Sequence, residues 1–356
     1  MNEDFRNEYI EINNRALLGA NAYYFSHLEE LTSLFGQGLE AACRRVREMQ
    51  DCGYGEITYM EVTMLRTRLL LQDYRIPIMV YGTKWYADPQ QAQAGEVCGD
   101  EIFRYYHEMM KETESLVKKY RAKLPERMLQ NCQSLSAANF WKYAEMACRR
   151  AVMGFSTQGM QISDMFCVRA CEYMGYGRVC RRFTPEMERD ERKKWFDKKE
   201  EESYRFRDYR GLDFSGWDFG GLDLSGCDFR GCILDGCHFE EANLDGAWFC
   251  DSSMKEASLA GAWVPGARFD GANLEKAVLT GAHSVCMIND STWTRPDCEW
   301  ASFGGCVLRE ADLTFSAMEG ADFRGADLDG AVLNEIHKEY YELDDRQREQ
   351  AHFLNF

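Results

Sequence analysis

Ala321-Asp322-Phe323-Arg324-Gly325 runs straight into Ala326-Asp327-Leu328-Asp329-Gly330. The same phrase stands earlier as Ala242-Asn243-Leu244-Asp245-Gly246 and Ala272-Asn273-Leu274-Glu275-Lys276. A large apolar residue returns every fifth position, with a small residue two places before it. A period of five belongs neither to a helix nor to a strand. It belongs to a repeated structural unit.

Followed outward, the pattern occupies about residues 205–333. The large central positions are Phe214, Phe219, Leu224, Phe229, Leu234, Phe239, Leu244, Phe249, Met254, Leu259, Val264, Phe269, Leu274 and Leu279. A second series contains Ile288, Trp293, Cys298, Phe303, Leu308, Leu313, Met318, Phe323, Leu328 and Leu333. The two series are out of phase by one residue, so a register break falls near 280–300. A bulge, a protruding loop or a bend is expected there, either accommodating a one-residue deletion or serving as a contact site. Small partners such as Cys227, Cys232, Cys237, Ala242, Ala272 and Ala326 precede the centres. Leu212 and Trp217 take that position at the start, as expected of a capping coil.

These residues resemble the pentapeptide-repeat family, whose pattern is A-(D/N)-L-x-x. The resemblance implies a right-handed, quadrilateral β-helix, one pentapeptide per side and four per coil. Centres and small residues point inward and the other positions face solvent. A square coil has little interior room, so bulk at the small position would overpack it. Cysteine there acts as a small hydrophobe, without a redox role. At the usual strand spacing of about 4.8 Å, roughly six coils make a rod about 29 Å long.

Residues 205–333 hold 22 Asp or Glu against 10 Lys or Arg, −12 of the chain's −17. Asp213, Asp218, Asp223, Asp228, Asp312, Asp322 and Asp327 recur just after the small position. They are candidates for an acidic binding face, although for each one taken singly a bond to the corner backbone is the first expectation. Members of the family that mimic DNA bind gyrase or topoisomerase. That resemblance implies a protein partner that itself handles DNA, with no direct nucleic-acid binding by this acidic chain. Those relatives are almost wholly repeat, whereas this chain devotes about 200 residues to something else. A nuclease or host-defence enzyme is therefore as good a target as gyrase.

Residues 1–204 read as an all-α domain. Helices are expected over 2–35, with Gly36 and Gly38 as punctuation, then 39–49, 57–71, 100–123, 137–153 after Ser136 as N-cap, and 164–174. Residues 185–204 form a charged connector helix whose Trp195 and Phe196 dock on a neighbour. Between Ile76 and Gly99 the pattern is least helical, and 78–81 reads as a short strand or a buried extended run. A loop of that length is the best functional candidate in this half. Cys148, Cys167, Cys171 and Cys180 lack the paired spacing of a zinc site and read as buried small residues. No phosphate loop, nucleophile elbow or zinc-protease motif occurs. No catalytic residue, metal or cofactor is expected. The residues 334–356 predict a helix from Glu335 to about His352 that caps the coils or pairs two copies into a homodimer.

No run of eighteen apolar residues exists, so no membrane span is expected. The fifteen cysteines show no disulfide spacing and the start lacks a signal pattern, which suits a cytoplasmic, bacterial-type protein. The expectation is a non-enzymatic interaction protein with an acidic rod. Its alternatives are a scaffold in which the rod positions the N-terminal half for recognition, and an effector-type enzyme.

Overall fold

The structure is a computed structural model that describes residues 3–175, 177–183, 188–198, 204–284, 299–318, 320–338 and 341–355. It divides into two compact units, one of Met1–Arg181 and one comprising Arg182–Met287 with Cys298–Phe356.

The first unit is not all-α. Helices α1 (Glu3–Ser26) and α2 (Leu28–Asp51) lead into strand β1 (Ile57–Met64). The short helix α3 (Arg66–Leu70), strands β2 (Arg75–Tyr81) and β3 (Ala92–Cys98), and helices α4 (Asp100–Lys119) and α5 (Met128–Ala151) follow. Strands β4 (Ile162–Glu172) and β5 (Gly177–Arg182) complete a five-stranded sheet in the order β3-β2-β1-β4-β5. Strands β1, β2 and β3 form an antiparallel meander, and β4 returns parallel to β1. The expected helices 57–71 and 164–174 are thus mainly strands. Seven of the eight residues of β1 are buried, so the strand shows no period-two alternation and cannot be told from a buried helix by its period.

The remaining helix boundaries also move. The first helix ends at Ser26, and Gly36 and Gly38 lie inside α2. A Cβ on Gly38 would come within 2.5 Å of Val97 Cγ2, so glycine is what lets α2 lie close on β3. Ser136 caps nothing. It sits in the middle of α5, and its hydroxyl donates to Asn13 Oδ1 at 2.7 Å. Ile76–Gly99 is mostly hairpin, leaving residues 82–91 as the connection.

In the second unit, parallel bridges join residues twenty apart, as in Asp228–Trp248, Ser253–Asn273 and Asn243–Trp263. Four such ladders, offset by five residues, define four sides. The amides of the described centres from Phe214 to Leu313 each donate to a carbonyl in the next coil, for example Phe249 N to Arg268 O at 2.7 Å. All eighteen expected core positions, namely Phe214, Phe219, Leu224, Phe229, Leu234, Phe239, Leu244, Phe249, Leu259, Phe269, Leu274, Leu279, Phe303, Leu308, Leu313, Phe323, Leu328 and Leu333, are buried. On one side Tyr209, Phe229, Phe249, Phe269, Phe303 and Phe323 stack with centroids 4.9–5.1 Å apart, and from Phe229 onward the rings tilt by no more than 5°. This spacing slightly exceeds the distance between strands, so backbone pairing and ring stacking support the same rise.

The register break is not a one-residue deletion. Arg268 pairs with Ser302, and His283 with Ala317, each 34 positions apart instead of 20. Fourteen residues are therefore added between Ser284 and Glu299. Fourteen is one less than three repeats, so an insertion of that length looks in sequence like the loss of one residue. The amide of Ala301 donates to Ser284 Oγ at 3.0 Å across the junction. The expected centres Ile288, Trp293 and Cys298 lie outside the described residues.

Both ends of the stack are closed. Helix α6 (Arg189–Asp197) places Phe196 in the aromatic core with Tyr204, Tyr209 and Phe214. At the other end there is no single helix from Glu335 to His352. Strand β6 (Val332–Asn334) pairs in parallel with β7 (His352–Leu354), which follows the short helix α7 (Asp345–Gln350). Gln347 donates its side-chain amide to the carbonyls of Phe323 and Ala326, and Tyr341 packs edge-on to Phe323. No described helix is long and apolar enough to cross a membrane.

Candidate functional site

Glu61 lies near the middle of β1, at the centre of the sheet, and is fully buried. Its carboxylate accepts from Trp85 Nε1 and Tyr86 OH, each at 2.9 Å, and from Arg169 Nη1 at 3.0 Å. Arg169 is its register partner on β4, and the Arg169 guanidinium lies 4.3 Å from the Trp85 ring centroid. Tyr59 stacks on Trp85 as well. A charge pair this buried holds only because its remaining lone pairs and N–H groups find partners. Trp85 itself sits at φ 51°, a left-handed conformation that costs a bulky residue roughly 1–2 kcal/mol. The connection is braced by Asp88, which accepts from the amides of Gly82 and Gln90. Burial first, and then the nearby Cys171 and Glu61, raise the Tyr86 phenol, so it stays a donor. Tyr81 packs edge-on to Tyr86, and its buried hydroxyl has no hydrogen-bond partner among the described residues.

The Ile76–Gly99 candidate therefore narrows to Trp85 and Tyr86. Glu61 and Arg169 gave no sequence signal, because a cross-strand pair 108 positions apart leaves none.

The seven aspartates of the expected acidic face fall on all four sides of the coils. Asp228 and Asp322 share one ladder, Asp213 and Asp327 a second, Asp218 and Asp312 a third, and Asp223 begins the fourth. Each accepts the amide two residues on, from Ser215 N to Asp213 at 2.9 Å through to Asp329 N to Asp327 at 3.3 Å. Five also meet an arginine: Asp213 with Arg189, Asp223 with Arg205, Asp228 with Arg230, Asp322 with Arg324 and Asp327 with Arg309. Asp228 is 1% exposed and takes both Nε and Nη2 of Arg230. These carboxylates close corners and bind arginines along the stack.

The family model for pentapeptide repeats matches eight copies, at residues 223–249, 252–283 and 297–334. The described residues of those ranges lie in the coils above. The repeat region is a pentapeptide-repeat domain.

Solved structures of similar proteins include the pentapeptide-repeat protein Rfr23 from the cyanobacterium Cyanothece 51142. It is 18% identical over 36% of this chain and 91% of its own, with a TM-score of 0.29. Full-length QnrB1, a plasmid-mediated fluoroquinolone resistance protein, is 24% identical over 42% of this chain and 74% of its own, with a TM-score of 0.21. HetL from Nostoc sp. strain PCC 7120, involved in heterocyst differentiation regulation, is 22% identical over 44% and 77%, with a TM-score of 0.16. None of the curated proteins matches.

Within the pentapeptide-repeat domain, Cys227, Cys232 and Cys237 fill small positions. Each donates its thiol to a carbonyl of the preceding coil at 3.0 Å, and burial pushes each up to about 12. In the first unit Cys167 and Cys171 lie on strand β4, opposite Tyr59 and Thr63 of β1, rather than on a helix. Cys148 is held well above its ordinary value by its hydrogen bond to Cys180 and by burial. Among the described residues no group of three His, Cys, Asp or Glu could hold a metal ion.

Proposed function

We propose that this chain is a non-enzymatic interaction protein. Its pentapeptide-repeat coils form a right-handed, four-sided solenoid that serves as a rigid support. Its N-terminal unit carries the recognition surface, centred on the Trp85–Tyr86 turn. One observation carries this reading. The seven candidate carboxylates of the rod are spent on its own corners and arginines, whereas the N-terminal unit strains a tryptophan over a buried ion pair. Strain of that kind persists where the surrounding structure enforces it, and it gathers at functional sites. The closed end of the coils supports a capping role for the tail over homodimerisation.

Affinity capture with the full chain tests the proposal. Trp85→Ala should lose the partner, while Asp213, Asp218, Asp312 and Asp327 changed together to Asn should keep it. The reverse outcome overturns it.

The net charge of −17 favours a second reading, mimicry of DNA towards a gyrase-type enzyme. QnrB1, a fluoroquinolone resistance protein, is similar in its repeats. A supercoiling assay with gyrase and a quinolone decides it. Unchanged supercoiling and unchanged poisoning remove that reading, and binding driven by charge must weaken steeply with salt.

A further inference from the structure

Helix α2 and the segment after α5 enclose an open cleft of about 390 Å3, lined by Glu40, Cys43, Arg44, Arg47, Phe155 and Ser156 among others. That volume is in the range of small-molecule sites. Arg44 and Arg47 are three residues apart, so they project side by side from the helix. Neither makes an ion pair among the described residues. Arg45, between them, is taken up by Glu48, and Arg15, Arg66 and Arg75 of the same unit each have a carboxylate as well. Glu40 stands one turn before Arg44, at a spacing that favours pairing, yet no such pair forms. Arg47 is half-buried, and its Nη1 donates to the carbonyl of Gln158 at 3.0 Å, which fixes the guanidinium at the cleft and leaves its other N–H groups to a ligand. Phe155 and Cys43 are buried apolar neighbours. Burial pushes the Cys43 thiol up to about 11, which suits packing and not thiolate chemistry.

We infer that this cleft binds a small molecule carrying a phosphate or carboxylate group, with Arg44 and Arg47 on the anion. A planar guanidinium fork matches both groups, and two forks in register give a bidentate site. The cleft is remote in sequence from Trp85 and stands independently of the interaction reading.

The test uses the full chain in a thermal-shift titration with inorganic phosphate and, separately, citrate, each against sodium chloride at equal ionic strength. A saturable rise in Tm with either ion is expected, and the ion that gives it assigns the class. Arg44→Ala, an exposed change that leaves the fold intact, should weaken the response on the order of tenfold, as expected for loss of a charged hydrogen-bond donor. Arg44→Ala with Arg47→Ala should abolish it, and Arg45→Ala should leave it unchanged. No shift beyond that of sodium chloride overturns the inference, and so does a shift that persists in the double variant.

Discussion

Arg169 stands directly across from Glu61 on adjacent parallel strands, and its Nη1 meets Glu61 Oε1 at 3.0 Å. The Glu61 side chain is fully buried and that of Arg169 is 10% exposed. Removing one partner strands the other charge in the sheet. Arg169→Ala should destabilise the first unit by about 3–5 kcal/mol in urea unfolding. Changing Glu61 and Arg169 together to Met should cost much less than Arg169→Ala alone. Equal costs for the single and double changes would show that packing, not charge, dominates the site.

The stacked rings make a second prediction. Phe269 lies between Phe249 and Phe303, 5.0 and 4.9 Å away. Phe269→Ala should cost about 3–5 kcal/mol through the cavity left. Phe269→Leu should cost about 1 kcal/mol, as a smaller loss of buried carbon. Hydrogen exchange should show the loss first in the amides of Phe249 and Phe303, because each coil rests only on its neighbours.

Corner aspartates divide by burial. Asp312→Asn keeps an acceptor for the Thr314 amide, as Asn243 does for Asp245, and should be near neutral. Asp228→Asn keeps the corner bond but loses the charge facing Arg230, and should cost about 1–3 kcal/mol.

Acid should loosen the molecule in a defined direction. Hydrogen bonds from Ser215 hold Asp213 below the ordinary carboxylate value, and Arg324 does the same for Asp322. Asp73, bonded to Arg75, is lowered to about 2. A carboxylate with a depressed folded-state value contributes stability above its unfolded value, near pH 4, and loses it as pH falls through the folded value. The unfolding midpoint should therefore decline from about pH 4 towards pH 2. A flat profile over that window would contradict the assignment.

Deleting residues 285–298 would join Ser284 to Glu299 and give every ladder a 20-residue interval. The expected variant folds with a thermal midpoint within a few degrees of the parent. Aggregation or loss of cooperativity would show that the fourteen residues are required by the coils.

The repeats were legible because five-residue periodicity has no competing explanation and every centre repeats the same environment. The nature of the register break is ambiguous in sequence, because a period of five cannot distinguish fourteen added residues from one removed. Strands β1 and β4 carry no strand signature in sequence, because a strand buried on both faces at the middle of a sheet loses alternation, and a continuous buried run cannot be told from a buried helix by its period. The candidate site was half legible. Trp85 and Tyr86 fall in a stretch whose irregularity marks it out, but nothing near Glu61 in sequence announces Arg169.

The pairing of β7 with β6 has a consequence for assembly. A stack of identical coils is a template, since its last strand offers the same unfilled hydrogen bonds that its first coil could accept from another copy. Here His352–Leu354 occupies that edge and the Gln347 amide closes carbonyls of the final coil. With Phe196 already covering the first coil, the same chain cut after Asn334 would bare a templating edge at one end only. What the tail supplies is a stop, because the last strand of the stack pairs within its own chain.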